Sequence, residues 1–124
     1  MILILSIFFL ITGCNEEEAK QQGNSIYGKW SLIKYEPGFS PTENFSVNQI
    51  SWSFEQTNVL KIQVDNTIST PPIKSEGQYD FSLNDNRVTI DNVEYDFSIN
   101  ENTLIISDDP SSDGFKATFL KATE

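Results

Sequence analysis

A chain of 124 residues with 38% hydrophobic content has room for one domain around one core, and its composition is that of a globular protein rather than a disordered or membrane-spanning one. Eighteen acidic residues against eight basic ones leave a formal charge of -10, a balance that repels phosphate and sets nucleic acid aside as a partner. With no histidine and a single cysteine, Ser-His-Asp and Cys-His catalysis and ordinary zinc sites are excluded; no enzyme and no cofactor is expected.

The first element in chain order is apolar, Ile2 to Ile11 (ILILSIFFLI), and the first thirteen residues carry no charged side chain. The run is shorter than the ~20 residues a spanning helix needs and has the length of a signal-peptide core. It ends at Ile11-Thr12-Gly13-Cys14, which resembles a bacterial lipobox, small residues before a cysteine that is acylated on sulfur. The resemblance implies that residues 1–13 are a lipoprotein signal peptide and that Cys14 carries palmitate-like chains. It also implies a cell-envelope address at the outer membrane, periplasmic or surface-exposed. No Lys or Arg precedes the run, so either the α-amino group is the only positive charge there or the true start lies upstream. As the sole cysteine, Cys14 cannot form an intramolecular disulfide, and lipidation would consume a thiol that is a liability in an oxidising compartment. Two or three acyl chains anchor stably at ~0.8 kcal/mol per buried CH₂. The membrane, reached through Cys14, is thus an expected partner.

Residues 14–25 are polar, with NEEEAKQQGNS after the cysteine and no apolar side chain larger than Ala19. Such a stretch cannot bury enough to order itself and reads as a flexible acidic tether. The acidic run resembles the surface-export signal of Bacteroidota lipoproteins, and Asn15 gives no sign of inner-membrane retention.

Residues 26–124 show alternation with period two and no helical period, which predicts an all-β domain. Eight strands are expected, at 26–36, 49–56, 59–65, 73–83, 88–90, 93–99, 104–107 and 115–121, separated by turn formers such as Pro37-Gly38, Pro71-Pro72 and Asp91-Asn92. Two stretches nearly repeat each other sixteen residues apart, YDFSLNDNRVTI from Tyr79 and YDFSINENTLII from Tyr95. Side chains change face at every residue, so a hairpin keeps its apolar sets together only when its loop holds an even number of residues or a bulge corrects the count. Taken as four-residue loops, Asn84 to Arg87 and Asn100 to Thr103 meet that condition, and the repeat becomes two successive hairpins. Asp80 and Asp96 then face solvent, as do Glu76 and Glu94, which leaves no inward carboxylate pair.

Eight meandering strands have two edges, and closure into a barrel removes both. Connections alternate between the ends. One end collects 37–48, 66–72, 91–92 and 108–114, mostly long, while the other has only short turns. A tight end and a loop-rich mouth follow. On the first strand, IYGKWSLIKYE contains Gly28-Lys29-Trp30, which resembles the G-x-W of lipocalins and more closely the small lipocalin-like domains of Bacteroidota lipoproteins. The resemblance implies a single up-and-down antiparallel eight-stranded barrel that is monomeric, with Trp30 plugging the tight end and Gly28 allowing close passage of the chain. The T-D-Y motif, the C-terminal helix and an Arg on the last strand are missing; Lys116 or Lys121 are the cations available to stack on the Trp.

The inward set contains nine large aromatics: Trp30, Trp52, Phe54, Tyr79, Phe81, Tyr95, Phe97, Phe115 and Phe119. Ile50, Leu60, Ile62, Val88, Ile90, Leu104 and Ile106 join them. So many rings can fill a barrel of this size, leaving a solid core, or can leave room for one small ligand. For a ligand at the mouth the candidates are Tyr79 and Tyr95, whose hydroxyls need partners when buried, with Trp52, Phe39, Phe45 and Ile68. A small apolar ligand is one expected partner. A basic protein, engaged by the acidic surface and mouth loops of a solid barrel, is the other. Asp109-Pro110-Ser111-Ser112-Asp113-Gly114 has the oxygen spacing that starts a calcium loop, but Leu120 stands where the bidentate Glu is needed, so it reads as a turn.

Overall fold

The computed structural model describes residues 25–108 and 114–122. The signal peptide, Cys14, the tether before Ser25 and the string 109–113 lie outside the described residues. Nine strands form in chain order: β1 (Gly28–Glu36), β2 (Glu43–Asn44), β3 (Ile50–Phe54), β4 (Val59–Val64), β5 (Gly77–Asn84), β6 (Arg87–Ile90), β7 (Val93–Asn100), β8 (Thr103–Ser107) and β9 (Lys116–Lys121). Every pairing is antiparallel between neighbours, and β9 returns to pair with β1, which closes an eight-stranded up-and-down barrel. β2 stands outside the ring. Its two residues pair with Lys34 and Tyr35, beyond the point where β3 leaves β1 after Ser31.

The hairpins form as the parity of the sequence requires, with tighter loops than expected. Asn84 pairs with Arg87 and Asn100 with Thr103, so each four-residue loop shrinks to two. Both counts are even, and the apolar faces survive. Asp91 and Asn92 take φ of 51° and 69°, the pair of left-handed values of a type I′ turn, whose twist suits adjoining strands. Asp80 and Asp96 are exposed, and Asp96 accepts a hydrogen bond from Arg87 Nε at 3.0 Å.

Several strands are shorter than the sequence suggests: β1 starts at Gly28, the expected 49–56 forms only as Ile50–Phe54, and the expected 73–83 loses its start. Residues 73–76, read as the start of an extended run, instead leave the sheet, and β5 begins at Gly77. Ile73 has φ of 72° and Gly77 φ of 154°, while Lys74 N–H donates to the carbonyl of Pro72 at 2.8 Å. That bond closes a γ-turn around a positive-φ residue, the rarer and strained form.

The core runs along the barrel axis. Trp30, Trp52, Phe54 and Phe119 are its largest fully buried members, joined by Leu32, Ile50, Leu60, Ile62, Val88, Ile90, Leu104 and Ile106. Burying each such side chain contributes roughly 1.5–3 kcal/mol. At the tight end Trp30 donates from Nε1 to the Ile26 carbonyl at 2.7 Å, and the Lys121 ammonium lies 4.6 Å from its ring centroid. Lys121 also donates to the Tyr27 carbonyl at 2.9 Å. Of the two lysines available, Lys121 therefore meets the indole. Gly28 makes room for it: its φ is 123°, and a Cβ there would stand 2.5 Å from the Lys121 nitrogen.

Candidate functional site

The strand order places the connections 37–49, 65–76, 91–92 and 108–115 at one end of the barrel, the loop-rich mouth. Its wall on one side is aromatic. Tyr35 and Tyr95 flank Phe115, with ring centroids 5.5 and 5.7 Å away and both pairs tilted. Simple alternation from Trp30 puts Tyr35 on the outside. A bulge between Leu32 and Lys34 reverses the face, so that Tyr35 pairs with fully buried Ala117 and packs on the core. The Ile33 carbonyl at the bulge accepts from Phe45 N–H at 2.9 Å, which ties the first mouth loop to β1. The same loop covers fully buried Ser31, whose Oγ accepts from Asn48 N–H at 2.7 Å.

The roof of the mouth is segment 65–76. Ile68 and Ile73 pack against the core from it. Glu76 Oε1 accepts from Val64 N–H at 3.1 Å, and the Tyr79 hydroxyl donates to the Ser75 carbonyl at 2.9 Å with Ser75 Oγ at 3.2 Å. Lys74 turns inward. Its ammonium donates to Asp91 Oδ2 at 3.1 Å and lies 5.2 Å from the Tyr79 ring centroid. Holding a β-branched residue such as Ile73 in the left-handed region costs of order 1–3 kcal/mol, which these contacts offset.

Electrostatics at the mouth keep both tyrosines protonated. Burial pushes the Tyr95 phenol above its ordinary value; Lys74 works against this, and Asp108 and Asp91 reinforce it. Burial, then Glu43, raises Tyr35 likewise. The Tyr35, Tyr79 and Tyr95 hydroxyls, the Lys74 ammonium and the Asp91 carboxylate are the polar groups set among the apolar side chains of the mouth.

Of the residues the sequence nominates, Tyr79 and Tyr95 come together around Lys74, and Ile68 belongs to the roof. Phe45 packs on the core, whereas Phe39 is 85% exposed and stands away from it. Trp52 lies one inward position deeper than Ile50, fully buried, and its indole N–H has no acceptor among the described protein atoms. Tyr35, Ile73, Lys74 and Asp91 were missed. A bulge hides the first. The only signal near the roof is Pro71-Pro72, which marks a break before Ile73 but does not say that the break extends to Glu76.

Open depressions lie at both ends of the barrel. A groove of about 410 Å³ runs beside the roof between Val64, Ile68, Pro71 and Glu76. A larger cleft of about 660 Å³ lies at the closed end, between Tyr27, Gly28, Phe54, Glu55 and Lys121. Among the described residues no three His, Cys, Asp or Glu side chains gather as metal ligands would. A scan against protein-family models finds no match to the chain, and a search of curated proteins finds none either.

Proposed function

We propose that the chain is a lipid-anchored, lipocalin-like binding protein of the cell envelope whose barrel mouth takes a small apolar ligand. One observation carries the reading. The aromatic wall of half-buried Tyr35 and Phe115 and buried Tyr95 stands at the end crossed by the irregular segment 65–76, whose Lys74 acts on the Tyr95 phenol, so that segment can move without breaking the ring. Because the barrel below is filled with side chains, the ligand is mouth-sized. It rests on Ile50, Ile90 and Ile106, the last inward residues before the loops. The resemblances at Ile11 to Cys14 and at Gly28 to Trp30 supply the rest of the proposal: acylation of Cys14, attachment to the outer membrane, and Trp30 as the plug of the closed end. Binding, not catalysis, is the role assigned.

A second reading has its own support. Phe39 and Val47, in the first mouth loop, are 85% and 56% exposed, and the filled core suits a rigid module that engages a basic protein partner. Native mass spectrometry of the chain purified from its own host separates the two. A co-purified small molecule that is lost in Phe115→Ala supports the first. An empty protein that captures a basic partner sinks it. In the same host Cys14→Ala should leave the membrane fraction, and retention there would overturn the anchor.

A further inference from the structure

The mouth already holds a cation, and its setting has the chemistry of a recognition site. The Lys74 side chain retains only 17% of its exposure, against 47% for Lys61 in its surface pair with Glu55. A lysine ordinarily keeps its ammonium in water. Here the side chain is largely covered, and its ammonium meets the 54% exposed Asp91 carboxylate at 3.1 Å on the rim and lies over the Tyr79 face at 5.2 Å. An aromatic face beside a carboxylate attracts organic cations.

Charge narrows the ligand further. Among the described residues Lys74 is the only basic one in the mouth connections, which carry five acidic ones, Glu43, Asp65, Glu76, Asp91 and Asp108. An anion approaching this end is repelled, and a cation is drawn in. The segment that delivers Lys74 is strained at Ile73, where φ is 72° in a γ-turn, so the intramolecular occupant is held less firmly than its contacts alone suggest.

We propose that the mouth recognises an organic cation, an ammonium group on an apolar body, and that Lys74 fills the site from within the chain until that ligand displaces it. The inference rests on the mouth-binding reading and names the ligand's chemistry. The incoming ammonium takes the Asp91 carboxylate and the Tyr79 face, and its apolar part lies against Tyr35, Phe115 and Tyr95. Lys74 moves into water, and Ile73 is released from its left-handed conformation.

The barrel closes on itself within residues 28–121, so a chain from residue 15 onward keeps every strand of the ring. Titration calorimetry with octyltrimethylammonium, octanol and octanoate then tests the proposal. The cation should bind tightest, Lys74→Met should tighten it by about tenfold, and Asp91→Asn should weaken it by about as much. Octanol or octanoate binding as well as the cation would overturn the inference, as would Lys74→Met without effect. If octanol binds and is indifferent to Lys74, the mouth reading survives and only the cation falls; if nothing binds, both fall. Should Lys74→Met fail to fold, hydrogen exchange on the unmodified chain decides. The amides of Ile68 and Lys74 should exchange faster with the cation bound, and unchanged protection would refute the displacement.

Discussion

At the scale of single residues, the two ends of the barrel answer to different physics. Gly28 is required by geometry: an alanine there would have to adopt a φ of 123° and meet the Lys121 nitrogen at 2.5 Å. Gly28→Ala should therefore cost about 1–3 kcal/mol, read as a lower urea midpoint at unchanged slope. An unaltered midpoint would mean that the close approach at the plug has no energetic weight. At the mouth, Tyr95 is governed by burial, which raises its phenol above the ordinary value of about 10. The folded state then holds this proton longer than the unfolded chain does. Its contribution to stability is complete below about pH 10 and is lost as pH rises through the folded value. Tyr95→Phe should lose less stability than the parent as pH rises above about 10, measured by urea unfolding at each pH; parallel losses would contradict the burial of that hydroxyl.

At the scale of elements, what was legible in the sequence followed from counting. Strand parity, even loops and the near-repeat of YDFS located the hairpins, because each depends only on alternation along a few residues. What escaped were places where one residue upsets the count. The bulge at Ile33 turns Tyr35 inward, and the left-handed Ile73 keeps residues 73–76 out of the strand that begins at Gly77. Both are set by contacts distant in sequence, Phe45 on the Ile33 carbonyl and the packing of Ile73 on the core. The site suffered more than the fold, since Tyr35 and Lys74 lie at these two irregularities. The Asp91-Asn92 turn, by contrast, is local. Asn tolerates a φ of 69° and a β-branched residue does not. Asn92→Val should destabilise by about 1–2 kcal/mol, roughly 4–16 °C in melting temperature for a domain of this size. No change on melting would show that the turn relaxes to another type at no expense.

At the scale of the whole molecule, charge works against folding and for the proposed ligand. Residues 25–122 hold fourteen acidic and seven basic side chains, a net of -7 on one small barrel. The ion pairs seen among the described residues, such as Lys61 with Glu55 and Arg87 with Glu94 and Asp96, are mostly half-exposed. Each such pair is worth about 0–1 kcal/mol. Salt weakens them slightly, yet it also screens the repulsion among all the unmatched carboxylates, and the Debye length falls from about 30 Å at 0.01 M to about 3 Å at 1 M. Repulsion over a surface with twice as many acids as bases should outweigh a few exposed pairs. Raising sodium chloride from about 20 mM to 0.5 M should therefore increase the urea midpoint while weakening octyltrimethylammonium, whose attraction uses the same field. A midpoint that falls with salt would place the balance with the pairs instead, and affinity for the cation that ignores salt would leave its capture to Tyr79 and the apolar wall alone.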